Sequence, residues 1–169
     1  MPHIIRKHGH HKPGTAPGTL VAPTDAAAPV ITALCYDEEH LEEFVLASPE
    51  EVKPLLEKWS RVWINVVGLG DTAILEQLGD IFGLHRLALE DVLNVSHRPK
   101  TESFGDILFI INRMASIREG RLDIEQVNMF TGKGFVLTFQ EHEGDSFDPV
   151  RVRLRNGVGR LIRRNQTDY

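Results

Sequence analysis

The stretch "HRLALEDVLNVSHRPK", His85 to Lys100, gathers the side chains in this sequence best suited to chemistry. Glu90 and Asp91 stand side by side, with His85, Arg86, His97 and Arg98 toward the two ends. Plotted on a helix at about 100° per residue, Leu84, Ala88, Leu89, Val92 and Leu93 fill one broad arc, and Leu87 extends it. Glu90 projects from the gap in that arc, where solvent is expected. Asp91 falls between Leu87 and Leu84, on the apolar side. A carboxylate there must be paired, capped, metal-bound or placed at an interface, because burying a bare charge is costly. An ion pair with a nearby arginine such as Arg98 and a cation or interface role are both open, and the wheel does not choose between them. Pro99 accounts for the end of the helix, since it disfavours helical geometry at Arg98.

Other candidates carry less. His3, His8, His10 and His11 could meet a metal ion, but nothing rigid would hold their geometry and no outer partners would orient the rings. Cys35 is the sole cysteine, so no intrachain disulfide exists, and a lone thiol reads as a small buried apolar group. Gly68-Leu69-Gly70 lacks the third glycine of a phosphate cradle and reads as a plain turn. The signatures of P-loops, G-x-S-x-G hydrolases, H-E-x-x-H zinc enzymes and C-x-x-C redox proteins are absent. With no nucleophile, base or cofactor cradle, the chain is not expected to be an enzyme.

The elements that position these residues follow from periodicity and punctuation. Residues 1–29 are rich in Gly, Pro, Ala and Thr and read as a flexible N-terminal tail; order is expected from Val30. "VITALCY" suits a strand. Asp37, Glu38, Glu39, Glu42 and Glu43 read as a solvated helix face, with a metal site as the alternative. "SPEEVKPLLEKW" suits a helix with Ser48 as N-cap and Glu51 completing a capping box, bent or split by Pro54. "RVWINVVGL" is a second strand. Asp71 can cap a helix with Ile74, Leu75, Leu78, Ile81 and Phe82 on one stripe and Gly83 as its stop. After the opening stretch, "DILFIINRMA" reads as a strand buried on both faces. "LDIEQVNMFTG" and "GFVLTFQE" form two more strands, joined by a hairpin at Gly132-Lys133-Gly134. Asp148 and Pro149 can start a last helix, "PVRVRLRN". This order predicts an α/β (α+β-like) fold: a mixed parallel/antiparallel sheet sandwiched between helices in αβα layers.

Composition narrows the partners. The chain has 169 residues and a net charge of -5 with histidines neutral. That balance argues against nucleic acid, which calls for a basic surface. Arg151, Arg153, Arg155, Arg160, Arg163 and Arg164 cluster near the C-terminus and read as a solvated face or one that meets acids elsewhere. The longest apolar run, Ile107 to Ile111, falls far short of the roughly 20 residues that span a bilayer.

"HRLALEDVLNVSHRPKTESFGDILFIINRM" resembles the signature of the cytosolic domain of CorA-type magnesium transporters. "VWINVVGL" and "EQVNMFTGKGFVLTFQEHEGDSFDPVRVRLRNGVGRLIRRNQTDY" fit the same family. The likeness covers about residues 30–169, as a CorA-like cytosolic regulatory domain, and is specific from about residue 61. It implies a homopentameric channel of the cell (inner or plasma) membrane, with this domain on the cytoplasmic side. The family's Gly-Met-Asn motif, long funnel helices and transmembrane helices are not in this sequence. The fragment is therefore expected to be monomeric or weakly associated. The resemblance makes Glu90 and Asp91 ligands of a regulatory divalent cation at the protomer interface. Their partners there are carboxylates on the neighbour's long helices. It names Mg²⁺ as regulatory ligand and transported ion, with Co²⁺, Ni²⁺ or Zn²⁺ as alternatives. A zinc-transporting sister branch and a stand-alone metal- or anion-binding module remain alternative readings.

Overall fold

The computed structural model describes residues 16–118 and 120–156. The four early histidines, along with Arg160, Arg163, Arg164 and Asp168, lie outside the described residues. In chain order come β1 (Val30–Tyr36), β2 (Leu41–Leu46), a 3-10 turn (Pro49–Glu51), α1 (Val52–Lys58), β3 (Arg61–Val67), α2 (Thr72–Phe82) and α3 (Arg86–Leu93). Then follow β4 (Lys100–Phe104), β5 (Ile107–Arg118), β6 (Arg121–Gly132), β7 (Phe135–Gln140) and α4 (Asp148–Arg155). One seven-stranded sheet has the order β2-β1-β3-β7-β6-β5-β4. Among the described residues, only β3 and β7 pair in parallel; every other neighbour pair is antiparallel. The mixed sheet in αβα layers is as the sequence predicted.

Alternation along the strands makes the two faces. Ile31, Ala33 and Cys35 of β1, Val62, Ile64 and Val66 of β3, and Leu137 and Phe139 of β7 point to the main core beneath α1, α2 and α3. Phe109 stacks on Phe130 at 4.4 Å between centroids, and Phe130 meets Phe139 edge-on at 6.1 Å. The other face carries a smaller cluster of Leu34, Trp63 and Leu154, which seats α4.

Several local expectations are corrected. The acidic segment is no helix. Asp37 accepts the N–H groups of Glu39 at 2.8 Å and His40 at 2.7 Å, and this turn feeds the edge strand β2. β2 keeps Glu42 and Glu43 exposed while Leu46 is buried, and charge on an edge deters strand-to-strand aggregation. "KTESF" was not expected as a strand, yet it pairs with β5 as the opposite edge. β5 is not buried on both faces: Phe109 and Ile111 are buried, Leu108 and Ile110 only partly so, and Ala115 and Ile117 are exposed. Ser48 stands before the 3-10 turn with no side-chain cap bond, and Glu51 instead accepts the N–H of Ala47 at 3.1 Å. Pro54 has no N–H to return to Glu50, which fits the 3-10 start of α1. Asp148 is the first residue of α4 rather than its cap, which is Phe147. Asp71 and Gly83 cap α2 as expected: Asp71 accepts the N–H of Ala73 at 2.9 Å, and Gly83 takes φ 66.

Gly68 and Gly70 make a turn, and their need for glycine comes from close backbone approach. A Cβ on Gly68 would stand 2.5 Å from the carbonyl oxygen of Ala28, and one on Gly70 2.6 Å from that of Ala26. The described part of the N-terminal segment, 16–29, thus lies directly over this turn. Gly70 donates its N–H to Ala27 at 2.8 Å, and Leu20 and Ala26 pack on the main core.

Candidate functional site

α3 is short because both ends are set locally. His85 caps its start by accepting the N–H of Leu87 on Nδ1 at 3.2 Å. Its last residue is Leu93, since Asn94 turns away with ψ 76. The helix thus ends well before Pro99, which follows a separate turn and is not the cause of the stop. Ala88, Leu89, Val92 and Leu93 are buried against the core, as the wheel predicted. Leu87 is not part of that arc: it is 44% exposed. The outward face of α3 is therefore Leu87, Glu90 and Asp91, and together with Lys100, Glu102, Ser103 and Phe104 it lines a surface pocket.

Asp91 is partly buried, with its side chain 20% exposed, and both its oxygens are engaged. Oδ1 lies 2.7 Å from Nε2 of His97, and Oδ2 accepts from Nζ of Lys100 at 2.7 Å. Lys100 also reaches Glu102 at 3.0 Å. Arg98, the ion-pair partner in one of the two readings the sequence left open, is exposed and takes no part in these bonds. Burial disfavours the Lys100 ammonium, but the hydrogen bonds to Asp91 and Glu102 outweigh it and hold the group's pKa above its ordinary value. Below Asp91, Gln126 donates to the Asp91 carbonyl at 3.2 Å and to Asn128 at 3.0 Å, fixing α3 on the sheet.

Glu90, on the same outward face, turns to a different neighbour. Its Oε2 accepts the N–H of Gly18 at 2.6 Å, while Arg86 donates to the Gly18 carbonyl at 2.8 Å. The two acids thus face different neighbours. Among the described residues, no three His, Cys, Asp or Glu side chains converge to hold a metal ion. The oxygen donors suit a hard cation such as Mg²⁺, which keeps several of its waters, but a complete shell needs donors from elsewhere.

The profile of the CorA-like Mg²⁺ transporter proteins matches residues 60–166. The chain is 39% identical over 161 residues to the cobalt/magnesium transport protein CorA of Thermotoga maritima, covering 94% of this chain and 46% of that protein. This chain belongs to the CorA-like Mg²⁺ transporter family. It spans about half the length of that curated relative. Its fold matches the soluble domain of CorA from Methanocaldococcus jannaschii, with a TM-score of 0.54 at 15% identity, over 77% of this chain and 48% of that one. It also matches the cytoplasmic domain of ZntB from Vibrio parahaemolyticus, with a TM-score of 0.53 at 12% identity, over 75% of this chain and 50% of that one. Among the described residues, no helix of this CorA-like chain is long and apolar enough to cross a membrane.

The remaining candidates in this CorA-like domain have structural roles. Cys35 is fully buried, and burial, helped by nearby Glu42, pushes its thiol pKa up to about 11. That leaves almost no thiolate at neutral pH. Arg151 and Arg155 meet acids rather than a ligand. Arg151 grips Asp145, with Nη1 on Oδ1 at 2.6 Å, and lies 4.7 Å over the Trp63 ring. Arg155 forks onto Glu43 of β2 at 2.6 and 2.9 Å. Sequence reasoning missed Lys100 and Glu102 as neighbours of Asp91. The available signal was their i, i+2 spacing in "KTESF", which puts both on one side of a strand.

Proposed function

We propose that this chain is the cation-sensing cytosolic domain of a CorA-like channel for magnesium and related divalent ions. In the full-length protein it assembles as a homopentamer in the cell membrane, with this domain on the cytoplasmic side. Asp91, seconded by Glu90, helps hold Mg²⁺ between protomers. The observation that carries the reading is the outward face of α3. It sets an exposed leucine, Leu87, beside two acids in a shallow pocket, and apolar surface next to carboxylates suits an interface more than open solvent. The acids supply part of a coordination shell, and a neighbouring protomer completes it.

The physics of gating follows from charge. Carboxylates about 6 Å apart repel by roughly 3 kcal/mol at an effective dielectric near 20, before salt screening. A bound divalent ion bridges them and favours the closed assembly; its loss restores the repulsion. Several such sites per pentamer multiply the bias on one open–closed equilibrium. High internal Mg²⁺ then shuts its own entry path.

The test is titration of MgCl₂ into this chain and into the full-length protein, each beside an Asp91→Ala version. Binding at millimolar strength or weaker is expected for the isolated chain. Tight binding, lost on Asp91→Ala, is expected for the full-length assembly. Mg²⁺ binding to the full-length protein that survives the substitution would sink the reading. The zinc-transporting alternative is separated in the same cell by competition: a site built for Zn²⁺ would release Mg²⁺ at far lower Zn²⁺ concentration.

A further inference from the structure

Asp91 already has a cation. Lys100 opens the edge strand β4 and sends its Nζ to Asp91 Oδ2 at 2.7 Å and to Glu102 Oε2 at 3.0 Å. Its Nζ also lies over the Phe109 ring, 6.0 Å from the centroid. The side chain is 28% exposed, so the ammonium has an open path to solvent beside the pocket.

We propose that Lys100 is a tethered competitor for the cation at Asp91, which an incoming divalent ion must displace. This inference rests on the reading of Asp91 as a cation ligand. A lysine suits the role: its charge is a compact point on a flexible four-carbon stem, with no planar fork to lock it in place. The exchange also sorts ions by charge. Replacing an ammonium by K⁺ or Na⁺ puts a single charge where a single charge already stood, and gains little. Replacing it by a divalent ion doubles the charge facing Asp91 at similar distance. When the ammonium swings out, Glu102 loses its partner too, so the negative field around the incoming ion grows. Lys100 thus keeps the site weak, selective against monovalent ions, and filled when divalent ions are scarce.

The experiment uses the full-length protein, in which a neighbouring protomer completes the proposed site, with Lys100→Met and Lys100→Arg, checked for folding by circular dichroism. Met keeps the apolar stem and removes the charge; Arg keeps the charge. Calorimetry with MgCl₂ is expected to show Asp91-dependent binding roughly ten-fold tighter for Lys100→Met, because one opposing charge is gone. Lys100→Arg is expected to bind no more tightly than the natural chain. A second readout is acylation of the Lys100 amine, followed by mass spectrometry. Its rate is expected to rise with MgCl₂ and to stay flat with KCl at equal ionic strength. Asp91-dependent binding of equal strength in the natural chain and Lys100→Met overturns the competitor alone. So does a Lys100 acylation rate indifferent to saturating MgCl₂. Absence of Asp91-dependent binding in all versions overturns both this inference and the function it rests on.

Discussion

Two carboxylate–cation pairs sit on opposite faces of the same sheet, and they differ in almost every physical respect. On the α4 side, Asp145 is 2% exposed and meets Arg151 fork to fork, with further bonds from the Phe147 N–H and Gln140. On the α3 side, Asp91 is 20% exposed and meets a lysine and a histidine, each through one atom. The first pair is desolvated, bidentate and roofed by packing on Trp63. The second lies at the mouth of a pocket. Burial and fork geometry make an ion pair a fixture of the fold; partial exposure and a flexible amine make it exchangeable.

The hardest way to break this comparison is to remove the buried acid. Asp145→Ala leaves the Arg151 guanidinium buried beside Trp63 with one exposed partner, Asp148, in place of two. Breaking a buried pair from one side costs about 3–5 kcal/mol, so α4 should detach early and urea unfolding should shift by that order. Acid should act in the same direction. Burial alone would raise the Asp145 pKa, but Arg151 and the Phe147 N–H overcome it and hold the carboxyl below its usual range. A depressed native pKa gives stability that is present above the unfolded value of about 3.9 and lost as pH falls through the native one. The unfolding free energy of the natural chain should therefore drop below about pH 4, and that of Asp145→Ala should drop less.

The same contrast explains how much could be read from the sequence. Elements with a strong period and local punctuation were legible: α2 between Asp71 and Gly83, and the hairpin across Lys133-Gly134. The edge strands β2 and β4 were not. Their charged residues break the apolar pattern, and their strand state comes from pairing with β1 and β5, which is a long-range fact. The candidate site suffered from that gap. Asp91 was legible as an acid that needs a partner, but the wheel put it on the apolar side, and the exposure of Leu87 moves it to the outward face. Its real partners depend on the turn after Asn94 and on a strand that composition hid. The resemblance to the CorA family carried the interface reading, which no wheel could supply.

A smaller effect is expected where the N-terminal segment crosses the β3–α2 turn. Gly70→Val places a branched side chain against the Ala26 and Ala27 carbonyls, where even one Cβ would stand 2.6 Å away. Overpacking of this kind costs about 1–3 kcal/mol if the segment stays, and less if it lifts. The expected result is a modest loss of stability with faster proteolysis within residues 16–29. An unchanged cleavage rate would mean that the segment is held mainly at Gly18, by Glu90 and Arg86.

The smallest effect should come from the exchangeable pair itself, and it decides whether the comparison holds. Asp91→Asn removes the charge and keeps the shape. Lys100 retains Glu102, and His97 is free to turn to solvent, so no charge is stranded in the interior. Pairs this open are worth about 1 kcal/mol or less, and urea unfolding at pH 7 without divalent ions should register no more than that. The alkaline limb adds a sign. Lys100 titrates above its ordinary value, so its contribution is present below the unfolded pKa of about 10.4 and fades as pH rises through the native one. The natural chain should lose a little stability above about pH 10, and Asp91→Asn should lose less. A loss near that of Asp145→Ala would make Asp91 a second fastener of the fold, with its ammonium too tightly held to yield to a divalent ion. A loss near zero leaves the carboxylate to whichever cation arrives with more charge.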